Sequence, residues 1–338
     1  MKVSVITPVF EPTPSGASAY TKLLAEHLMS VGAHVNIYTE AHPLREENYH
    51  KYNVIGLFPY NASATRHKLI KSLVWLWQNI KYLHLLQLTA DSDHVIIHSS
   101  FFKRPSFMLL LIFLSKAKKS LDIRDLSMSE GIFRIISHKF NSIIYCNKNA
   151  EKRFNLLKHD QIHYMPVPID IKFEKRHKPK SLNHNIKIVV IGDVSKNKGV
   201  ELLTRAILPN HLSIHLIGAT KDPILASELS RIENIHVHGT LNQHHIMCHF
   251  EDTDIILSLS KSEGVPRSIL EALSFGIEVL CRRGIPEMEE VLDIFVEDHD
   301  TLYDVIEKVE LVHQRGNNSL NYDLERHNKS HVFKELVV

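Results

Sequence analysis

Short apolar runs alternate with longer amphipathic segments along this chain, stop at a basic, proline-containing stretch, and then begin again. Such alternation admits few architectures, because parallel strands must be joined by crossover segments and both faces of their sheet then need covering. Val3–Ile6, His34–Tyr38, Val95–His98, Lys119–Arg124 and Ser142–Tyr145 read as strands of a first sheet. Tyr20, Leu23, Leu24, Leu28 and Val31 recur at helical spacing between the first two, and Gly32 suits the helix end. Residues 166–185 carry three prolines and many basic residues and read as a linker. Strands are expected again at Ile186–Ile191, Ser213–Ile217, Ile235–His238, Ile255–Ser258 and Val279–Leu280, with a helix from Val200 to Ala206. At 338 residues, two domains with one core each follow.

Composition narrows the class. With 44% hydrophobic and 23% charged residues and only 12 Gly and 13 Pro, disorder and collagen-like repeats are excluded. No uncharged apolar run reaches the length of a bilayer span. Met1-Lys2 leads directly into an apolar run that reads as a strand, so no leader peptide is expected. Cys146, Cys248 and Cys281 are odd in number and scattered, which reads as reduced cytosolic thiols. Residues 1–180 hold 25 Lys/Arg against 14 Asp/Glu, a balance of +11, whereas the remainder hold 15 against 24, a balance of −9. The first half is therefore expected to meet something anionic. Nucleic acid is not expected, since no recognition module accompanies the charge.

The densest local pattern is Ser260-Lys261-Ser262-Glu263-Gly264-Val265-Pro266-Arg267-Ser268-Ile269-Leu270-Glu271-Ala272. It reads as a strand end, a polar loop, and a helix with Pro266 at its first position. The amides of Ser268, Ile269 and Leu270 would face outward at that helix start, a setting that suits phosphate. On physical grounds alone Glu271 is equally a solvated helix residue, and Glu263 equally a cap.

Read as Glu-Gly-x-Pro followed by Leu-Glu-Ala, with seven residues between its two glutamates, this stretch resembles the signature of the retaining glycosyltransferase family 4. Gly276–Val279, Gly284–Glu287, Val237–Leu241, Phe250–Ser258 and the Lys-Gly loop Gly192–Gly199 fit the same family. The Pro-rich loop with Gly16 and the run Asp122–Leu126 match less closely. The resemblance implies an α/β chain of GT-B fold: two doubly wound Rossmann-like domains facing an interdomain cleft. The boundaries are 1–168 for an acceptor domain, 169–183 for the linker, 184–318 for a nucleotide-sugar domain, and 319–338 for a tail. In that tail, Tyr322–Leu336 would form a helix crossing back to the first domain.

The resemblance also implies roles. Glu271 holds the ribose hydroxyls, Glu263 the donor-sugar hydroxyls, and Lys198 the diphosphate, with amides around Gly264, Ser268 and Ile269 helping. Thr240 and Leu241 carry the base by backbone contacts, and Gly16 permits close approach to phosphate. Asp125 or His98 stands where many members have a histidine beside the donor sugar. No cofactor and no metal is implied; the donor is a UDP- or GDP-sugar. The acceptor is a glycan, with polyprenyl-diphosphate-linked surface polysaccharide the expected form. The expected location is cytoplasmic, at an anionic membrane surface. One departure stands out: Asp193 occupies the position where the family commonly has an arginine. That keeps open a non-catalytic partner subunit, and a nucleotide-sugar epimerase shares the fold.

Two readings concern metals. Asp91-Ser92-Asp93 and Asp252-Thr253-Asp254 each precede a strand, which puts them at the amino edges of the sheets, away from ligand-binding ends. His244, His245 and His249 read as a solvated helix face, because no set at recognised ligand spacing completes them. The stretch Lys68–Leu86, with Trp75 and Trp77, reads as a helix on the first sheet or as an interfacial helix.

Overall fold

The computed structural model describes residues 1–10, 15–41, 53–58, 80, 82–103, 107–158, 161–169, 185–205, 207–261, 264–317, 321–328 and 332–333. Two units are present. One comprises Met1–Pro168 with Lys329–Val338, and the other Ile169–Asn328.

The first unit is built on seven parallel strands: β1 (Lys2–Val9), β2 (His34–Ala41), β3 (Asn53–Phe58), β4 (His94–His98), β5 (Lys118–Ile123), β6 (Ser142–Tyr145) and β7 (Ile162–Tyr164). Their order in the sheet is β3-β2-β1-β4-β5-β6-β7. Both faces are buried, as a parallel sheet requires. Val3, Val5, Val35 and Ile37 pack on one face with Leu24 and Leu28 of the helix Gly16–Ser30, and Val332 and Phe333 join them there. Ile6, Val95, Ile97 and Leu121 pack on the other. The helix starts where the Ser15 side chain accepts from the Ser18 amide at 3.0 Å, and it stops before Gly32, whose φ of +86° suits glycine.

The second unit has six parallel strands: β8 (Ile186–Ile191), β9 (Leu212–Ile217), β10 (Ile235–Gly239), β11 (Ile255–Ser258), β12 (Glu278–Arg282) and β13 (Phe295–Val296). Their order is β10-β9-β8-β11-β12-β13. Alternation sorts the strands: Ile186, Ile188, Val190, Ile214 and Leu216 share one core with Val305, Val309 and Val312 of the helix Leu302–Arg315. The helix Arg267–Ser274 packs on β11 and β12.

Several local expectations change. β3, β7 and β13 are additional strands; β13 has two residues and β7 three, too few to show a period. Val200–Arg205 is a 3-10 helix rather than an α-helix. Tyr322–Leu336 is not one continuous helix. The Asp323 carboxylate takes the Glu325 amide at 3.1 Å, a short 3-10 turn follows at Glu325–His327, and Asn328 bridges Ile169. Asx side chains that bond nearby backbone compete with helix in this way. Of the stretch Lys68–Leu86, residues 68–79 and Lys81, with both tryptophans, lie outside the described residues. Residues 82–88 are helical and bury Tyr82 and Leu85. No helix among the described residues is long and apolar enough to cross a membrane.

Candidate functional site

In a doubly wound sheet, ligands bind beyond the carboxyl ends of the strands. In the second unit those ends gather three loops. β8 runs into Gly192, whose amide donates to the Ile217 carbonyl at 2.9 Å. β9 runs into Gly218, where a Cβ would stand 2.0 Å from the Gly192 carbonyl oxygen. Only glycine allows that approach. The Gly218 amide in turn donates to Gly239 at the end of β10, at 2.9 Å, just before Thr240 and Leu241.

Lys198 ends a 3-10 turn, Lys196–Lys198, closed by Gly199 in the left-handed region at φ +71°. A Cβ on Gly199 would lie 2.1 Å from the Leu259 carbonyl oxygen. The Lys-Gly pair therefore seats the Lys198 turn directly on the chain leaving β11. The Lys261 amide donates to the Asn197 carbonyl at 3.4 Å, and Lys261 Nζ pairs with Glu201 at 2.6 Å. Buried Arg282 of β12 holds the same segment, donating from Nε to the Leu259 carbonyl at 3.1 Å. Gly192, Asp193, Lys198, Ser258, Leu259 and Ser260 line the resulting crevice. Burial pushes the Lys198 ammonium below its usual pKa; Asp193 opposes this shift and Lys221 adds to it. Asp193 is itself paired with Lys221 at 2.9 Å.

Beyond that crevice stands the helix Arg267–Ser274. Pro266 is its cap residue rather than its first helical one. The Ile269 and Leu270 amides both donate to the Pro266 carbonyl, at 3.0 and 3.4 Å. They are not turned outward as the sequence implied, and Ile269 is fully buried, which leaves the beginning of the turn at Ser268. Glu271 accepts from Arg267 Nε at 2.7 Å, while Arg267 Nη1 is buried with no hydrogen-bond partner. Gly264 is half-buried just ahead of the helix, and Glu263 lies outside the described residues.

The first unit gathers His98 and Asp125. His98 ends β4 and sits in register with Asp122 of β5. It is buried, and its Nδ1 accepts from the Ser100 amide at 3.1 Å. Burial lowers its pKa, which Asp122 and Asp125 oppose. Asp125, partly exposed, accepts from the Ser127 amide at 2.9 Å. Arg124 points the other way. Its guanidinium bonds Asp122 at 2.6 Å and the Met165 carbonyl at 3.0 Å, donates to the Tyr20 hydroxyl, and stacks 3.7 Å from the Tyr20 ring centroid. Burial works against its charge, but Asp122, Tyr20 and Cys146 together outweigh it and raise the pKa. This inward lock ties the helix Gly16–Ser30 to the end of β5, and nothing in the spacing of Tyr20 announced it. Gly16 opens that helix, and a Cβ there would meet nothing within 4 Å, so the chain itself does not demand glycine.

Both Asp-x-Asp triplets are tied to the amino ends of strands. Asp93 accepts from the Lys2 amide at 2.7 Å, and Asp254 accepts from the Lys187 amide at 2.9 Å. Asp252 pairs with Lys187 Nζ at 2.5 Å. His249 departs from its expected solvated setting: it meets His215 of β9 and His238 of β10.

Residues 185–312 match the family model described as glycosyl transferases group 1. No curated protein matches the chain. Among solved structures, the chain resembles Anabaena Alr3699/HepE in complex with UDP-glucose, at 13% identity and a TM-score of 0.73, covering 99% of this chain and 98% of that one. Sucrose-phosphate synthase (tll1590) from Thermosynechococcus elongatus gives 14% and 0.77, covering 99% and 97%. The lipopolysaccharide outer core galactosyltransferase WaaB, in its apo form, gives 13% and 0.66, covering 99% and 98%. The chain is thus an α/β protein of GT-B fold and a transferase enzyme, with a glycosyltransferase group 1 domain in its second unit.

Proposed function

We propose that this enzyme moves a hexose from a nucleotide diphosphate sugar to a glycan hydroxyl, with retention at the anomeric carbon. The observation that carries this reading is the seating of Lys198 on Leu259 by Gly199, at the loop that leads to the helix bearing Glu271. A cation and a carboxylate then flank one strand end, as a diphosphate and a ribose diol require. HepE in complex with UDP-glucose, on the same fold, supports a UDP-sugar as donor; GDP-sugars share the diphosphate chemistry.

In this reading Glu271 accepts from the ribose hydroxyls and Thr240-Leu241 flank the base. The amide of Ser268, with Gly264 beside it, borders the diphosphate, and Gly16 keeps the phosphate role that the resemblance implies. Glu263 holds the sugar hydroxyls; His98 or Asp125 borders the sugar. The acceptor oxygen attacks the anomeric carbon on the face from which the phosphate leaves, and the departing phosphate oxygen takes the acceptor proton. Lys198 stabilises the charge that grows on the leaving group, an effect that acts on rate more than on binding.

The acceptor in this reading is a polyprenyl-diphosphate-linked or other surface polysaccharide, met at the cytoplasmic face of a membrane. The +11 balance of residues 1–180 supports it, as do exposed Phe107, Leu110, Phe113 and Leu114 in the first unit. Each basic residue near an anionic surface contributes about 1 kcal/mol. Co-sedimentation with anionic but not neutral liposomes, lost at high salt, is expected; equal binding to both, or to neither, counts against it.

The deciding experiment supplies a panel of nucleotide sugars with glycan acceptors and follows nucleoside diphosphate release and the anomeric configuration of the product. Transfer with inversion overturns the mechanism. Binding of every nucleotide sugar without transfer to any glycan overturns the proposed reaction.

A further inference from the structure

We infer that His215, His238 and His249 form a binding site for a divalent ion of borderline softness, with Zn²⁺ the natural occupant. The three come from separate elements. His215 lies on β9, His238 on the edge strand β10, and His249 on the helix Gln243–Phe250. Strand alternation turns Leu212, Ile214 and Leu216 to the core and leaves His215 on the opposite face. His236, in register with His215, and His238 belong to the same face of β10.

One nitrogen from each imidazole falls within 4.8 Å of the others. His215 Nδ1 is 2.9 Å from His238 Nε2, and their rings stack 5.2 Å apart at 9°. His249 closes the group, 4.6 Å from the His238 ring and 5.7 Å from that of His215. Tetrahedral Zn–N bonds of about 2.0–2.1 Å put ligand nitrogens about 3.3 Å apart, so small side-chain rotations suffice. The Nδ1 of His249 is buried without a hydrogen-bond partner, an unusual cost for a polar atom.

The surroundings suit a cation held by neutral ligands. Burial, then Lys187 and the neighbouring histidines, push His215 down to about 4, and burial lowers His238 and His249 too. Unprotonated imidazole is the form that ligates. Among the described residues, the Lys187 charge acts on all three, and Asp252 pairs with it at 2.5 Å. Water or a carboxylate completes four-coordination. Imidazole sets of this kind take Zn²⁺, Co²⁺, Ni²⁺ or Cu²⁺ rather than Mg²⁺ or Ca²⁺. A bound ion would clip edge strand β10 to β9 and to the helix, two residues ahead of Thr240.

The test uses full-length, tag-free, chelator-stripped protein titrated with Co²⁺ and followed by its visible absorption, with Zn²⁺ as competitor. One equivalent with tetrahedral-type bands, displaced by Zn²⁺, is expected. His238→Ala and His249→Ala should each weaken binding tenfold or more, whereas His244→Ala, one turn from Cys248, should leave it unchanged. The absence of micromolar binding by the unaltered protein overturns the site without recourse to any variant. So does binding that survives the His238→Ala/His249→Ala double substitution, or that disappears with His244.

Discussion

The Glu271 carboxylate is held 2.7 Å from Arg267 Nε, one helical turn back, with both side chains half-buried. An (i, i+4) pair of this kind contributes only about 0.3–0.5 kcal/mol. The carboxylate is thus oriented more than it is stabilising. Glu271→Ala should leave the urea midpoint nearly unchanged. Affinity for a nucleoside diphosphate should fall roughly tenfold or more, since charge-assisted hydrogen bonds contribute about 1.5–3 kcal/mol each. Calorimetry showing unaltered affinity removes Glu271 from the ribose.

Lys198→Ala should depress kcat far more than it weakens nucleoside diphosphate binding, because leaving-group charge grows along the reaction. The Asp-x-Asp carboxylates are tied to Lys2 and Lys187, so turnover should persist in chelator. Complete loss of turnover that Mg²⁺ restores contradicts this placement. Loss of thermal stability alone, reversed by Zn²⁺, belongs instead to the histidine cluster.

Asp193 sets a carboxylate beside Lys198 and holds Lys221 at 2.9 Å. Asp193→Ala removes a negative charge facing the expected diphosphate and releases a second lysine. Tighter binding of the nucleoside diphosphate, by about fivefold at low salt, is expected from an interaction worth roughly 1 kcal/mol, and salt should erase the gain. Weaker binding would mean that Asp193 itself contacts the donor.

His94 is buried at the start of β4, its Nε2 2.7 Å from the Ser120 hydroxyl and its Nδ1 unpartnered. Burial, helped by Lys118, lowers its pKa to about 4. The unfolded chain takes up that proton near pH 6.5, so between these values the unfolded state binds more protons than the folded one. Stability is therefore full above about pH 6.5 and lost as pH falls toward 4, by about 3 kcal/mol at most at 1.36 kcal/mol per unit. Urea midpoints at pH 7 and 4.5 should converge for His94→Gln; an unchanged pH dependence assigns the loss elsewhere.

Gly199→Ala should cost several kcal/mol, since its Cβ would stand 2.1 Å from the Leu259 carbonyl oxygen at a φ of +71°. It should also displace Lys198. An unfolding free energy within about 0.5 kcal/mol of the unaltered chain would show that Gly199 does not seat the Lys198 turn on Leu259.

Periodicity alone was enough to read two β–α halves in this chain, because burial on both faces of a parallel sheet imposes unbroken apolar strands that local sequence must supply. The edges of the two sheets also followed from order along the chain: Asp93 and Asp254 precede apolar runs and so stand at amino ends. What the tertiary structure alone decided depends on residues far apart in the chain. Asp193 meets Lys221 only because Gly218 lets two backbone turns pass at contact distance. Arg124 turns inward to Tyr20, 104 residues earlier, and leaves Asp125 at the surface. His249 gains partners only when parallel pairing sets β10 beside β9 and the following helix folds over them. Spacing along the chain records a helical or strand face, whereas the meeting of three imidazoles is a property of strand order and register.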